Sequence, residues 1–400
     1  MLGWMSRDGK LIHASKATRT VFFGYLGVAL GIYLHELGAP VFVVGAVLML
    51  AMLGSAFSTA LVAFFADRLG RRRTLVAFSV LMTLGGALLS ISSDVATVAV
   101  AAFLGSLSVT GTEAGPFSSL EQAILPQAVE QKRRNVAFGV YNLVGYACSS
   151  FGSTLAWIPE RLQGSGLEVA AAFRPLFVAY TAAGVVLCLL YLSMGKGIEP
   201  AAPAASGRKL TPESRATIAR LSGLFAVDAL GGGFVVQSVI SLWFYLTFGV
   251  GISSVGDVFA VAYLITAASF LAAAKIADRI GLLRTMVFTH IPSNLLLMAI
   301  PLSPTFHWAA ALLFARQSMS QMDVPTRQAY IVQVVEPEAR TPASSFTTLS
   351  RNVSAAFGPS MAGYVLQQAM MSTPFFVAGG LKTAYDVAVY LAFRKVKLKG

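Results

Sequence analysis

Four ionisable residues stand in stretches otherwise too apolar to welcome them: Glu113, Asp228, Arg316 and Asp323. A charge held in hydrocarbon is expensive, so such residues face an interior and are functional candidates by default. Desolvation favours a neutral carboxyl, whereas a nearby guanidinium favours an ionised one. That competition could couple proton binding to the binding of a second ligand. The alternative is structural, with Glu113 or Asp323 paired to Arg316 simply to hold two segments together. Asp228 precedes Gly231-Gly232-Gly233, which are expected to break a helix and expose backbone groups to a ligand. Glu121 and Arg327 are expected near span ends, reaching headgroup water. Lys382 and Asp386 stand four apart and are expected to pair along one helix. Tyr25, Asn142 and Gln237 could touch a ligand, though such residues more often pack or bridge helices.

The elements that must position these charges are membrane-spanning. Apolar residues make 56% of the 400-residue chain and charged residues 12%, about half the charge of a soluble domain. Mean hydropathy is +0.70. Apolar runs at about 19–37, 41–66, 74–92, 97–125, 135–157, 173–194, 218–248, 254–277, 284–302, 306–333, 343–366 and 373–394 read as twelve spans. A crossing takes about 20 apolar residues as helix, and in lipid only helices satisfy every backbone group within one segment. The net charge of +12 does not gather on a soluble module, so nucleic acid is not an expected partner. The basic residues fall in alternate connections: Arg7 to Arg19, Arg68 to Arg73, Lys132 to Arg134, the 195–217 segment, Lys275 to Arg284, Arg340 and the tail from Arg394. That asymmetry places both termini in the cytoplasm. No cleavable leader is expected before the first span. Cys148 and Cys188 read as small core residues, and neither they nor the four His show metal-ligand spacing.

The densest polar knot is Ala66-Asp67-Arg68-Leu69-Gly70-Arg71-Arg72-Arg73-Thr74, between the second and third runs. It returns 211 positions later as Ala277-Asp278-Arg279-Ile280-Gly281-Leu282-Leu283-Arg284-Thr285. A repeat of half the chain implies one ancestral unit used twice. Glu113-Ala114-Gly115-Pro116 likewise aligns with Met322-Asp323-Val324-Pro325. The Pro-, Gly- and Ala-rich segment 195–217 is the break in composition and reads as a linker. It divides residues 1–194 from residues 218–400. Thr211-Pro212 reads as the cap and first position of the next helix.

The knot resembles the loop between helices 2 and 3 of the major facilitator superfamily, whose pattern is matched from Phe65 to Arg72, with Ala63 where the family usually has Gly. Asp278 to Arg284 resemble the degenerate copy between helices 8 and 9. The resemblance implies an all-α membrane protein of twelve helices in two pseudo-symmetric six-helix bundles. It implies that spans 1, 4, 7 and 10 line a central cavity, which would place Glu113, Asp228, Arg316 and Asp323 on its wall. It also implies a cytoplasmic gate formed by Asp67, Arg68, Gly70, Arg71 and Arg72 with Asp278, Arg279, Gly281 and Arg284. Asp67 would then face the start of span 11 near Thr341, while Arg73 sets topology. Hinges are expected at Pro116, Gly231 to Gly233, Pro325, Gly358 and Pro359. Gly358-Pro359 resembles the Gly-Pro signature of drug/proton antiporters, but it stands in span 11 instead of span 5. The antiporters' span 4 Arg is missing, with its nearest analogue at Arg316.

The expected function is secondary active transport by alternating access in the cell membrane. Proton-coupled export of a small amphipathic compound leads; proton-coupled import is the alternative, and a non-transporting sensor a further one. The expected partners are that compound, protons and the bilayer, with the protein a monomer and no cofactor. Paired-carboxylate motifs, His-rich metal sets and nucleophile–base pairs are missing from the sequence, so an enzyme is not expected. Gly-x-x-x-x-Gly-Lys-Ser/Thr is missing too, which removes a nucleotide-driven pump within this chain.

Overall fold

A computed structural model describes residues 4–112, 115–199, 211–336 and 339–394. Glu113 lies outside the described residues, as do the side chains of Asp278, Pro325 and Thr341. The chain forms α1 (Arg7–Glu36), α2 (Val41–Leu69), α3 (Arg71–Ile91), α4 (Val95–Leu104), α5 (Pro116–Ile124), α6 (Arg134–Thr154), α7 (Trp157–Gly164) and α8 (Val169–Leu192). After the linker come α9 (Pro212–Phe234), α10 (Gln237–Phe248), α11 (Ile252–Ile280), α12 (Leu282–Ala299), α13 (Phe306–Ser320), α14 (Asp323–Val334), α15 (Arg340–Gln367) and α16 (Thr373–Phe393). Each span expected from sequence coincides with one of these helices or with a consecutive pair. Seven helical stretches among the described residues are long and apolar enough to cross a membrane; the rest are shorter or less apolar.

The ends are cut by local chemistry. Ser6 Oγ accepts from Gly9 N at 3.2 Å to start α1, and Asp94 Oδ2 from Thr97 N at 3.1 Å to start α4. Thr211 Oγ1 accepts from Ser214 N at 3.2 Å with Pro212 as the first helical residue of α9. These side chains occupy backbone donors that a helix start cannot use internally. Gly70 and Gly281 are the single residues between α2 and α3 and between α11 and α12, with φ of 94° and 85°. A side chain strongly disfavours that backbone region. The repeated knot is therefore a repeated backbone turn.

Three expected spans are interrupted. The run 97–125 is not one helix: α4 ends at Leu104 and α5 begins at Pro116. Pro116 starts a helix, where its missing N–H costs nothing, and it does not kink a continuous one. Ser118 Oγ accepts from Gly115 N at 3.2 Å to secure that start. The run 306–333 divides at Gln321-Met322, with Pro325 in the first turn of α14. The run 218–248 divides at Val235-Val236, just after the glycine triplet expected to break it. α9 runs helically through Gly231, Gly232 and Gly233, and close packing there needs the small size of Gly231 and Gly233. A Cβ on Gly233 would press on the Ala355 carbonyl, and one on Gly358 on the backbone of Gly233. α15 is likewise continuous through Gly358-Pro359.

The described helices before the linker pack as one bundle, with α1 against α6 and α8, α3 against α8, and α4 against α2 and α3. Those after it form a second, with α9 against α15 and α16 and α12 against α13 and α16. The bundles meet through α2 and α15, α6 and α11, and α1 and α10. This contact is tight at the end away from the knot. There Ser238 Oγ donates to Gly27 O at 2.9 Å, Phe42 N to Gln367 Oε1 at 2.8 Å, Ser150 Oγ to Ala260 O at 2.8 Å and Ser253 N to Glu160 Oε2 at 2.7 Å. At the knot end a cleft of about 470 Å³ separates α2 and α5 from α15.

Replacing Gly358 with Leu should overpack the α9–α15 contact and cost about 1–3 kcal/mol. The melting temperature of the detergent-solubilised protein should fall, while Gly380→Leu, where a Cβ would meet open space, should leave it unchanged.

Candidate functional site

Between the bundles lies a cavity of about 320 Å³. Its wall takes Met52 from α2, Thr110 and Thr112 from the α4–α5 connection, Tyr146 from α6, and residues of α9 to α11, α13, α15 and α16. Asp228, Arg316, Arg351 and Lys382 are the charged groups on this wall. The breaks at Val235-Val236 and Gln321-Met322 both border it. Within the same wall the Tyr263 hydroxyl bonds to Gln237 Oε1, so Gln237 is committed to a neighbour.

Asp228 is 1% exposed and binds two cations directly. Arg351 Nη1 donates to its Oδ2 at 2.6 Å and Lys382 Nζ to its Oδ1 at 2.8 Å. Arg327 Nη1 stands 3.6 Å from Oδ2 and His290 Nε2 3.9 Å from Oδ1. Arg327 also pairs with Asp323 one turn away on α14. Behind them His290 Nδ1 contacts Asp386 Oδ1 at 2.9 Å, and Asn294 Nδ2 donates to Asp386 Oδ2 at 2.9 Å. Five helices, α9, α12, α14, α15 and α16, thus converge on one carboxylate.

Several sequence expectations change here. Asp323 pairs with Arg327 and not with Arg316. Arg316 Nη1 instead donates to Gln317 Oε1 at 3.0 Å, and its buried Nε has no hydrogen-bond partner. Lys382 turns to Asp228 and Asp386 to His290, so the two do not pair along α16. Arg327 does not reach water; it is 7% exposed. Glu121 is 0% exposed, because Arg19 grips it with Nη1 at 3.0 Å and Nη2 at 2.7 Å. Tyr141 and Tyr191 hydroxyls donate to the same carboxylate at 2.8 and 2.7 Å. Lys16 and Arg19, expected in a basic lead-in, lie buried within α1. Arg351 and His290 were not singled out by sequence, although Arg351 is an ionisable residue inside an apolar span.

The knot is tied to the linker. Glu199 accepts from the backbone N–H of Arg71 at 2.6 Å and of Arg72 at 3.2 Å, placing a carboxylate at the positive start of α3. Arg71 Nε donates to Asp67 Oδ1 at 3.0 Å, and Arg72 Nη1 to Met194 O at 3.2 Å. Arg68 and Arg73 are exposed, as are Arg279, Gly281 and Arg284 on the second copy. The bonds described at the first copy all stay within its own bundle and the linker. Cys148 and Cys188 are free thiols.

The model of the Major Facilitator Superfamily matches residues 16–320 and 229–399, nearly the whole chain. The chain belongs to the Major Facilitator Superfamily. It is a multi-pass membrane protein with that superfamily's two-bundle fold. A Saccharomyces cerevisiae relative, the uncharacterized membrane protein YJR124C, is 23% identical over 98% of this chain and 96% of its own length. Among solved structures, a point mutant of the nucleoside transporter NupG superposes with a TM-score of 0.77 at 12% identity, covering 97% of this chain and 100% of its own. A D-xylose–proton symporter superposes at 0.69 and 13% identity, covering 95% and 97%. At these identities the likeness shows the fold, so the charges on the cavity wall must be read from their own geometry.

Glu121→Gln should cost this superfamily member about 3–5 kcal/mol, because it leaves the buried Arg19 guanidinium without its carboxylate. Glu199→Gln keeps an acceptor at the start of α3 and should cost about 1 kcal/mol or less. Melting temperatures of the two purified variants test the difference, and equal losses would contradict it.

Proposed function

We propose that this protein is a secondary active transporter that carries a small amphipathic compound across the cell membrane by alternating access, coupled to protons. The carrying observation is Asp228, a buried carboxylate on the cavity wall held by two cations from other helices. The cavity lies between two bundles that touch at one end and stand apart at the other, which is the arrangement a rocking carrier needs. With the basic connections in the cytoplasm, the cleft opens inward. The units that rock are residues 1–194 and 218–400, with 195–217 as their connection. The gate is Asp67, Arg68, Gly70, Arg71 and Arg72 with Asp278, Arg279, Gly281 and Arg284, and the working state is a monomer.

Direction follows from what a proton on Asp228 would do. A neutral Asp228 releases Arg351 and Lys382 to hold cargo, so proton and cargo bind together, and import by symport is the reading the geometry favours. Export, the leading expectation from sequence, needs proton and cargo to compete for one site. Glu113, another candidate carboxylate in addition to Asp323, is proposed as a second proton carrier. The D-xylose–proton symporter shares the fold and supports coupling as a capacity of this architecture.

Proteoliposomes loaded with pyranine separate these readings by sign. Under symport, adding a transported solute outside acidifies the lumen, whichever way the protein is inserted; under antiport the lumen turns alkaline. Asp228→Asn and Glu113→Gln should each abolish the pH signal. A solute flux with no pH change in wild type defeats proton coupling.

Orientation has its own check. Reporters at the N-terminus and at the Lys132 turn should both read cytoplasmic, and opposite readings would remove the two-bundle topology.

A further inference from the structure

The charged groups of the cavity wall do not balance. Arg316, Arg351 and Lys382 face a single described acid, Asp228. Asp228 is already shared by Arg351 and Lys382 at 2.6 and 2.8 Å. The acids behind it are also engaged, Asp323 by Arg327 and Asp386 by His290. Arg316 forms no ion pair among the described residues. Its Nη1 leans on the amide oxygen of Gln317, which also accepts from Ser320 Oγ at 2.7 Å. Its buried Nε has no partner at all. A half-buried guanidinium whose nearest acid, Asp323, is bonded to Arg327 instead is poorly compensated, and its flat fork of donors matches a carboxylate or a similar planar anion.

We propose that Arg316 anchors a subsite for the anionic head of a small organic monoanion. The anion supplies the counter-charge that the wall lacks, taking Nε and the outer guanidinium face in a charge-assisted pair. Its apolar body lies against Phe259, Tyr263 and Leu313, which border the same cavity. A chamber of about 320 Å³ sits at the small end of ligand pockets, so the cargo is a compact molecule. This assignment rests on the transporter reading and narrows its amphipathic compound to an anion.

The test is equilibrium binding to the full-length protein in phosphatidylcholine nanodiscs, where no anionic lipid competes. The probes are benzoate and hexanoate, their neutral amides benzamide and hexanamide, and the cation benzylamine. At least one of the two acids should bind saturably, and at least about tenfold more tightly than its amide or the amine. Arg316→Gln should weaken that binding by about tenfold or more, while Arg316→Lys should recover part of it. Gln317→Glu gives Arg316 an internal carboxylate and should exclude the acid just as strongly while preserving the fold. Arg161→Gln, on α7 outside the cavity, should bind like wild type. Amide or amine binding as tight as acid binding overturns the proposal, as does wild-type affinity in Arg316→Gln or Gln317→Glu, or no saturable acid binding. Binding is read without transport. An Arg316-dependent acid site with no solute flux in liposomes therefore defeats the transport reading and leaves the anion site standing. Flux of neutral solutes alone does the reverse.

Discussion

A carboxylate buried in a membrane protein must be answered by positive charge, and the second bundle is arranged around that requirement at Asp228. α15 and α16 each send a cation to it, α14 brings Arg327 within 3.6 Å, and α12 brings His290 within 3.9 Å. Removing one partner from a buried pair is strongly destabilising, whereas replacing a whole cluster by apolar residues is often neutral. Stability alone therefore gives little reason to retain such a cluster on a cavity wall. The proposed proton coupling would give a reason, because exchanging these cations for a proton would change which helices are bound to one another.

The first bundle meets the same requirement differently. Arg19 and Glu121 form a closed set in which a two-pronged guanidinium and two phenols fill the carboxylate, and both charged residues are 0% exposed. Neither borders the cavity. The signs are exchanged between the halves: the basic residue is on the first helix and the acid on the fourth in the first bundle, and the reverse holds for Asp228 and Arg327 in the second. Each half thus carries an ion pair between its first and fourth spans, although Glu121 and Arg327 do not occupy aligned positions. The closed pair of the first bundle stiffens it; the open one of the second, with extra cations and cavity exposure, can respond to what enters.

The helices and the repeated turn were legible because lipid allows so few solutions: long apolar runs had to be helices, and the doubled Asp-Arg-x-Gly knot is the same glycine turn twice. The interruptions were less legible. Hydropathy stays high across 235–236, because a non-helical segment buried in protein can be as apolar as a helix, whereas the Gly-, Ser- and Thr-rich stretch 105–112 is a cue that reading 97–125 as one run passes over. The glycine triplet was a misleading cue, since small size serves close packing as well as bending, and Gly233 uses it to admit Gly358. Partner choice was the least legible. Lys382 and Asp386 sit at ideal spacing on one helix, yet each finds a stronger partner on a neighbouring one. The weak pull of an exposed helical pair, a few tenths of a kcal/mol, loses to the cost of leaving Asp228 or His290 unmatched in a buried site. Glu121 and Arg327 follow the same rule: each lies near a span end, where water was the expected neighbour, and each instead has an opposite charge within reach.

The interruptions and the asymmetric contact between bundles belong to one design. Where α4, α9 and α13 stop, backbone groups lose their helical partners and need others. At the interface some are supplied across the bundles: Ser238 N donates to Val109 O at 3.0 Å and Tyr263 Oη to Thr110 O at 3.4 Å. The irregular connection of the first bundle is thereby stitched to the start of α10 in the second. These stitches belong to the tight contact, where Gly27, Gly31 and Gly45 let backbones nearly touch. A rigid continuous helix at this level would transmit any rocking along its full length. Under the proposed alternating access, a break tied across the interface would let α10 and the end of α1 stay together while the halves beyond the cavity separate. Closing the knot end would then require the cleft between α2, α5 and α15 to collapse. That cleft is bordered by Asp67 and Arg71, whose partners among the described residues are Glu199, the backbone of Ile198 and each other. Glu199, at the start of the connecting segment, is thus joined to the start of α3.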